Sequence, residues 1–210
     1  MDEYSYKLDN FLFSLISNIA NPNILEFGVE NGRSTLKFLD LCNRNNGYLF
    51  SVDIIDCSKI TKDPRWSFLQ TRDDNFQLIK SKIPSHLDVI YLDSVHEAAH
   101  VEKIFYEYYN MLKSGGYFFI DDISHIPYLK KKKRNNFYCE INNKETYNTI
   151  LDIYDSNSDL FDLNFAFRSS GLAIIKKNSN EPLKDKEKIR TRENSIKNFI
   201  RLLWKNLKRD

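Results

Sequence analysis

The chain has 210 residues, 41% hydrophobic and 14% aromatic, enough for one substantial core and incompatible with a disordered or low-complexity polymer. No apolar run approaches the roughly 18–20 residues that span a bilayer, Met1-Asp2-Glu3-Tyr4 shows no signal-peptide pattern, and Cys42, Cys57 and Cys139 are too scattered for a disulfide framework, so a reducing cytoplasm is the expected compartment. The net charge of +2 conceals an asymmetry: 130–134 (KKKKR) supplies five positive charges, 176–210 carries twelve Lys/Arg against five Asp/Glu, and the remainder is left at −10.

Leu8, Phe11, Leu12, Leu15, Ile16 and Ile19 recur at helical spacing and predict an amphipathic first helix. After Pro22, short apolar runs predict strands at 24–27, 48–52, 66–69, 87–92 and 117–120. Helices are expected between them at 34–42, 74–82 and 98–112. Short apolar strands alternating with helices imply a parallel sheet covered on both faces. Segments 160–167 and 172–176 flank Arg168-Ser169-Ser170-Gly171 as a hairpin. The expected fold class is therefore α/β: a Rossmann-like, doubly wound, mostly parallel seven-stranded sheet closed by an antiparallel pair.

The polar stretch 130–145 is expected to be a lid over the site, within one domain spanning 1–180. Residues 181–210 are expected to form a separate basic amphipathic helix. Ile196, Phe199, Ile200, Leu203, Trp204 and Leu207 mark its apolar stripe, with Lys197, Arg201, Lys205, Lys208 and Arg209 mostly between them. The stripe is expected to pack on protein, in a homodimer, with attachment to an anionic membrane surface as the second option.

Three places carry chemistry. The first is Ile24-Leu25-Glu26-Phe27-Gly28-Val29-Glu30-Asn31-Gly32-Arg33-Ser34-Thr35, a strand ending in Glu-x-Gly, a glycine turn, and a helix start. Gly28 and Gly32 let backbone approach a ligand, with Ser34 at the helix start beside them. A dinucleotide site would favour G-x-G-x-x-G without an acid, since it must hold a pyrophosphate. Glu26 favours instead a ligand with an ammonium, such as the methionine part of S-adenosylmethionine. Read blandly, the segment is an ordinary glycine turn.

The second is Asp53, ending the second strand 21 residues after Gly32, where nucleotide-binding α/β folds hold a ribose diol. Ile54 would lie against the adenine face. Asp73 is the natural adenine amino contact, though Asp74 beside it could equally cap the next helix.

The third is Asp93, ending one strand, and Asp121-Asp122, ending its expected neighbour. Three gathered carboxylates repel one another unless protonated or bridged by a cation, and an all-oxygen set suits Mg²⁺, Ca²⁺ or Mn²⁺. The bland alternative is one Asp in solvent and one capping a turn. His96, three residues past Asp93 at the start of a helix, faces the cleft as a candidate base. His125 is a second candidate and His100 a weaker one.

Together, Glu-x-Gly-x-x-x-Gly, Asp53, Leu92-Asp93-x-x-His96 and Gly115-Gly116-Tyr117-Phe118-Phe119-Ile120-Asp121-Asp122 resemble class I S-adenosylmethionine-dependent methyltransferases over roughly residues 20–176. Within that class they are similar to the metal-dependent sugar O-methyltransferases of macrolide biosynthesis, the macrocin and mycinamicin type, and to the related cephalosporin hydroxylase group. The resemblance implies Mg²⁺ on Asp93, Asp121 and Asp122, and His96 as base. Some members carry an acid two residues beyond the first Asp; here that position is Val95, which throws the weight onto His96. The implied reaction moves a methyl group to a hydroxyl of a small-molecule or glycan acceptor. A hydroxylase-like enzyme and an inactive cofactor-binding scaffold are the rival readings. Nucleic acid is a weaker expectation, because the body is acidic and no binding module is recognisable.

Overall fold

In the computed structural model, which describes residues 2–125, 137–189 and 195–207, the apolar runs line up as one seven-stranded sheet. The strands are β1 (Asn23–Phe27), β2 (Tyr48–Asp53), β3 (Trp66–Gln70), β4 (Leu87–Leu92), β5 (Leu112–Asp121), β6 (Phe161–Ala166) and β7 (Leu172–Lys177). Their order is β3-β2-β1-β4-β5-β7-β6. The pairs from β3 through β5 are parallel, whereas β7 runs antiparallel to both β5 and β6. This is the expected Rossmann-like fold.

Successive strand residues go to opposite faces, and both faces are buried. Leu25, Phe27, Ile90, Leu92, Phe118 and Ile120 pack against Val101, Ile104, Phe105 and Tyr108 of helix α5 (Ala98–Tyr109) and Ile150 and Ile153 of α6 (Phe137–Asn157). Ile24, Leu49, Val89, Tyr91 and Phe119 face the other way, onto Phe38, Leu39 and Cys42 of α3 (Arg33–Asn45). Each buried large side chain contributes roughly 1.5–3 kcal/mol. A short helix, α4 (Phe76–Lys80), links β3 to β4.

Several boundaries differ from the sequence reading. The first helix is a composite of α1 (Glu3–Leu8), a π-helical stretch (Asp9–Phe13) and α2 (Ser14–Ile16). Only Leu8, Leu12 and Ile16 of its expected stripe are fully buried, while Leu15 is exposed. The expected lid is half corrected: 137–145 belongs to α6, while 126–136, including the KKKKR run, lies outside the described residues. Helix α6 escaped notice because its buried side mixes Asn143, Thr146 and Thr149 with Ile150 and Ile153, which blurs the apolar period.

The expected tail helix is also shorter than 181–210. Asn157 of α6 grips Lys184 through both backbone groups (2.7 and 3.0 Å), and Lys186 pairs with Glu102 at 2.6 Å. Helix α7 covers Ile196–Leu207 among the described residues, and its apolar residues stay largely exposed, from 48% at Leu203 to 81% at Ile196.

Candidate active site

The cleft opens at the carboxyl ends of β1 and β4, where the winding direction reverses and α/β folds bind their ligands. Its cavity measures about 490 Å³, within the usual span for a small-molecule site. Gly28, Val29, Glu30, Arg33 and Ser34 line it after β1, Asp53 and Ile54 after β2, Asp73 after β3, and Asp93, Ser94 and His96 after β4.

Gly28 has φ +88°, and a Cβ there would stand 1.8 Å from the carbonyl oxygen of Asp93, so β1 and β4 can end this close together only over a glycine. Gly32 (φ +78°) turns the chain into α3 and lies off the cleft wall. The loop's amides are committed internally. Gly28 N donates to Val52 O (2.9 Å) and Gly32 N to Val29 O (2.8 Å). Val29 N and Glu30 N donate to Asp53 Oδ2 at 2.7 and 3.0 Å.

Glu26 requires a correction, because it does not reach the cleft. It is fully buried beneath the loop, accepting hydrogen bonds from Ser34 Oγ (2.6 Å), Thr35 Oγ1 (2.8 Å) and Ser51 Oγ (2.6 Å). Burial pushes its carboxyl up to about 7 despite these donors. Glu26 therefore anchors strand, loop and helix to one another and is not available to an ammonium.

Asp53 faces the cleft, and its carboxylate also takes Ile55 N at 2.9 Å. Partial burial would raise its pKa, but the backbone donors outweigh it and hold the carboxyl below the usual range. Ile54, 66% exposed, offers an apolar surface beside it. Asp73 lines the far end, bonded to Ser94 Oγ and to His100 Nε2 at 2.8 Å. His100 is thereby bound to Asp73 and is not part of the cleft lining. His125, the other alternative base, packs near the Tyr147 ring at 6.0 Å and also lies off the cleft wall.

His96 sits on the loop before α5 rather than on the helix. It nonetheless reaches the acids, with Nε2 3.3 Å from Asp122 Oδ2 and 3.8 Å from Asp93 Oδ1. Asp122 adopts φ +58°, a left-handed conformation that Asp tolerates better than most residues. The two consecutive carboxylates consequently diverge. Burial, then Asp121 and Asp122, push the Asp93 carboxyl well up; burial, then Asp121, raise that of Asp122.

Asp121 turns inward. It forms an ion pair with Lys7, and its oxygens also accept from Tyr91 Oη (2.7 Å), Ser170 Oγ (3.1 Å) and Asp122 N (2.7 Å). Burial opposes its charge, but the Lys7 ammonium prevails and holds the carboxyl down. Lys7 and Tyr4 both come from α1. Tyr4 lines the cleft and donates to Asp93 Oδ2 at 3.3 Å.

Residues 25–123, most of the strands and loops that build this cleft, match a family described as "Methyltransferase domain". That stretch of the chain is similar to a methyltransferase domain. Solved structures share its fold at low identity. MycE, a methyltransferase from the mycinamycin biosynthetic pathway in complex with Mg and SAH, is 18% identical with TM-score 0.62 over 85% of this chain and 53% of that one. A Staphylococcus aureus protein described as a caffeoyl-CoA O-methyltransferase is 18% identical with TM-score 0.60, over 85% of each chain. The SAH-bound Podospora anserina methyltransferase PaMTH1 is 10% identical with TM-score 0.61, over 84% of this chain and 86% of that one. The chain thus spans about half the length of MycE. No curated protein matches the sequence.

The three expected metal ligands, Asp93, Asp121 and Asp122, stand near one another but do not present a shared set of free oxygens. No group of three metal-ligating side chains suited to an ion is found among the described residues. More tellingly, both oxygens of Asp121 are engaged, one of them by a buried ammonium. The trio as it stands does not fit a divalent ion. Sequence reasoning missed Tyr4 and Lys7, because nothing local shows that α1 will be laid beside the cleft.

Proposed function

We propose that the chain is an O-methyltransferase that moves the methyl group of S-adenosylmethionine to a hydroxyl of a sugar or other diol-bearing small molecule. One observation supports the cofactor above all. The loop amides at positions 28, 29, 30 and 32 are already bonded within the protein, and carboxylates of Glu30, Asp53, Asp73 and Asp93 line the cleft. A pyrophosphate would meet these acids and find those four amides taken, whereas a cationic ligand meets favourable charge. The sugar-type acceptor rests on the sequence resemblance and on the fold shared with MycE.

When bound, S-adenosylmethionine supplies an electrophilic methyl on its sulfonium, and its transfer leaves S-adenosylhomocysteine. Asp53 would hold the ribose diol, Ile54 the adenine face and Asp73 the adenine amino group, with Asp93 and Gly28 at the methionine end. His96, at the mouth beside Asp93 and Asp122, takes the acceptor's hydroxyl proton at Nε2. Asp122 Oδ2, 3.3 Å away, then holds the resulting N–H. The walls align acceptor and donor, and such positioning can supply several kcal/mol of the acceleration.

Calorimetry with S-adenosylmethionine, S-adenosylhomocysteine and NAD tests the cofactor, and methyl transfer to a panel of sugars and diols tests the reaction. Binding of NAD without S-adenosylmethionine would refute the reading.

A further inference from the structure

Lys7 has no solvent exposure, an uncommon state for lysine that persists only when the ammonium is fully paired. Here it is. The ammonium meets Asp121 Oδ1, Ser170 Oγ at 2.9 Å and Gly171 O at 3.4 Å, one acceptor for each of its three protons. Lys7 comes from α1 and its partners from the end of β5 and from the hairpin loop before β7, so three parts of the fold converge on this one charge.

We propose that Lys7 is the resident cation of the acid cluster, standing where a divalent ion would otherwise bridge the carboxylates, so that the chain transfers its methyl group without a metal. Three features carry this. Asp121 cannot ligate an ion without giving up Lys7. A divalent ion seated among Asp93, Asp121 and Asp122 would lie beside an ammonium that has no route to water. The remaining acids already have other partners: Asp93 accepts from Tyr4 Oη at 3.3 Å, while Asp122 turns toward His96. The Tyr4 hydroxyl on Asp93 competes with a metal for the same lone pairs.

Lys7 is a positioning residue in this account. It neutralises Asp121, keeps the pair of strand-end acids apart, and ties α1 to the site one helical turn from Tyr4. The inference rests on the methyl-transfer reading for its reaction but not for its binding test.

The test titrates Mn²⁺ into the S-adenosylhomocysteine complex of the full chain, followed by electron paramagnetic resonance, for the wild type and Lys7→Met. The wild type should show no Mn²⁺ site tighter than about millimolar, and turnover should survive EDTA. Lys7→Met, which keeps the length and removes the charge, should bind Mn²⁺ at least tenfold more tightly. One equivalent of Mn²⁺ held at micromolar concentration by the wild type, turnover lost to EDTA and restored by Mg²⁺, or a folded Lys7→Met with no gain would each overturn the proposal. If Lys7→Met does not fold, the two wild-type measurements decide. Loss of S-adenosylhomocysteine binding by the wild type would instead refute the cofactor reading, separately from the metal question.

Discussion

Glu26 sets up a measurable dependence of stability on pH. Its carboxyl is fully buried and raised from 4.5 to about 7, chiefly by desolvation, with Ser34, Thr35 and Ser51 hydroxyls acting against the rise. Below pH 4.5 the group is protonated in both folded and unfolded chains. Between 4.5 and about 7 the folded chain holds a proton that the unfolded chain has released, so rising pH favours unfolding. Each pH unit in that window removes roughly 1.4 kcal/mol, about 3 kcal/mol in all. Above pH 7 both states are ionised and the effect is complete. Glu26→Gln keeps the volume and cannot ionise, and the three hydroxyls can rotate to meet its amide. Urea denaturation at pH 5, 6, 7 and 8 should show wild-type stability falling relative to the variant, the gap widening by about 3 kcal/mol from pH 5 to 8. Parallel stability curves for the two proteins would refute the argument, because they would mean that Glu26 is ionised throughout or that its burial has no energetic consequence.

His96→Ala should lower turnover by roughly 10²–10⁴-fold with S-adenosylhomocysteine affinity unchanged in calorimetry; equal losses in both would make His96 a structural residue. Gly28 and Gly115 have similar φ, +88° and +84°, but a Cβ at Gly28 strikes the Asp93 carbonyl whereas one at Gly115 meets nothing within 4 Å. Gly28→Ala should therefore prevent folding or cost more than about 4 kcal/mol, and Gly115→Ala only about 1–2 kcal/mol; equal melting temperatures would contradict this. The exposed stripe of α7, basic between its apolar residues, is expected to lie against the acidic body of a second copy. Truncation after Ile189, which keeps the segment gripped by α6, should then turn a dimer into a monomer in light scattering. An unchanged mass together with lost binding to anionic vesicles would assign the stripe to a membrane.

The fold was legible because its signals are local. Runs such as Leu87–Leu92 are apolar on both sides of the strand, which only a sheet covered on both faces explains. The glycine turn and the acids at strand ends are likewise read from a few consecutive residues, and Asp53, Ile54, Asp73, Asp93 and His96 do line one cleft. Other facts depended on partners distant in the chain. Glu26 looked like a ligand-binding acid, yet Ser51, 25 residues away, helps close a hydroxyl cage around it. Asp121 looked like a metal ligand, yet Lys7, 114 residues earlier, fills its coordination. An acidic residue at a strand end carries the same sequence signature whether it faces a ligand, a buried hydroxyl or an ammonium. Which of these it meets is set by side chains that only folding brings within 3 Å, and the cost of burying an unpaired charge then makes that meeting decisive.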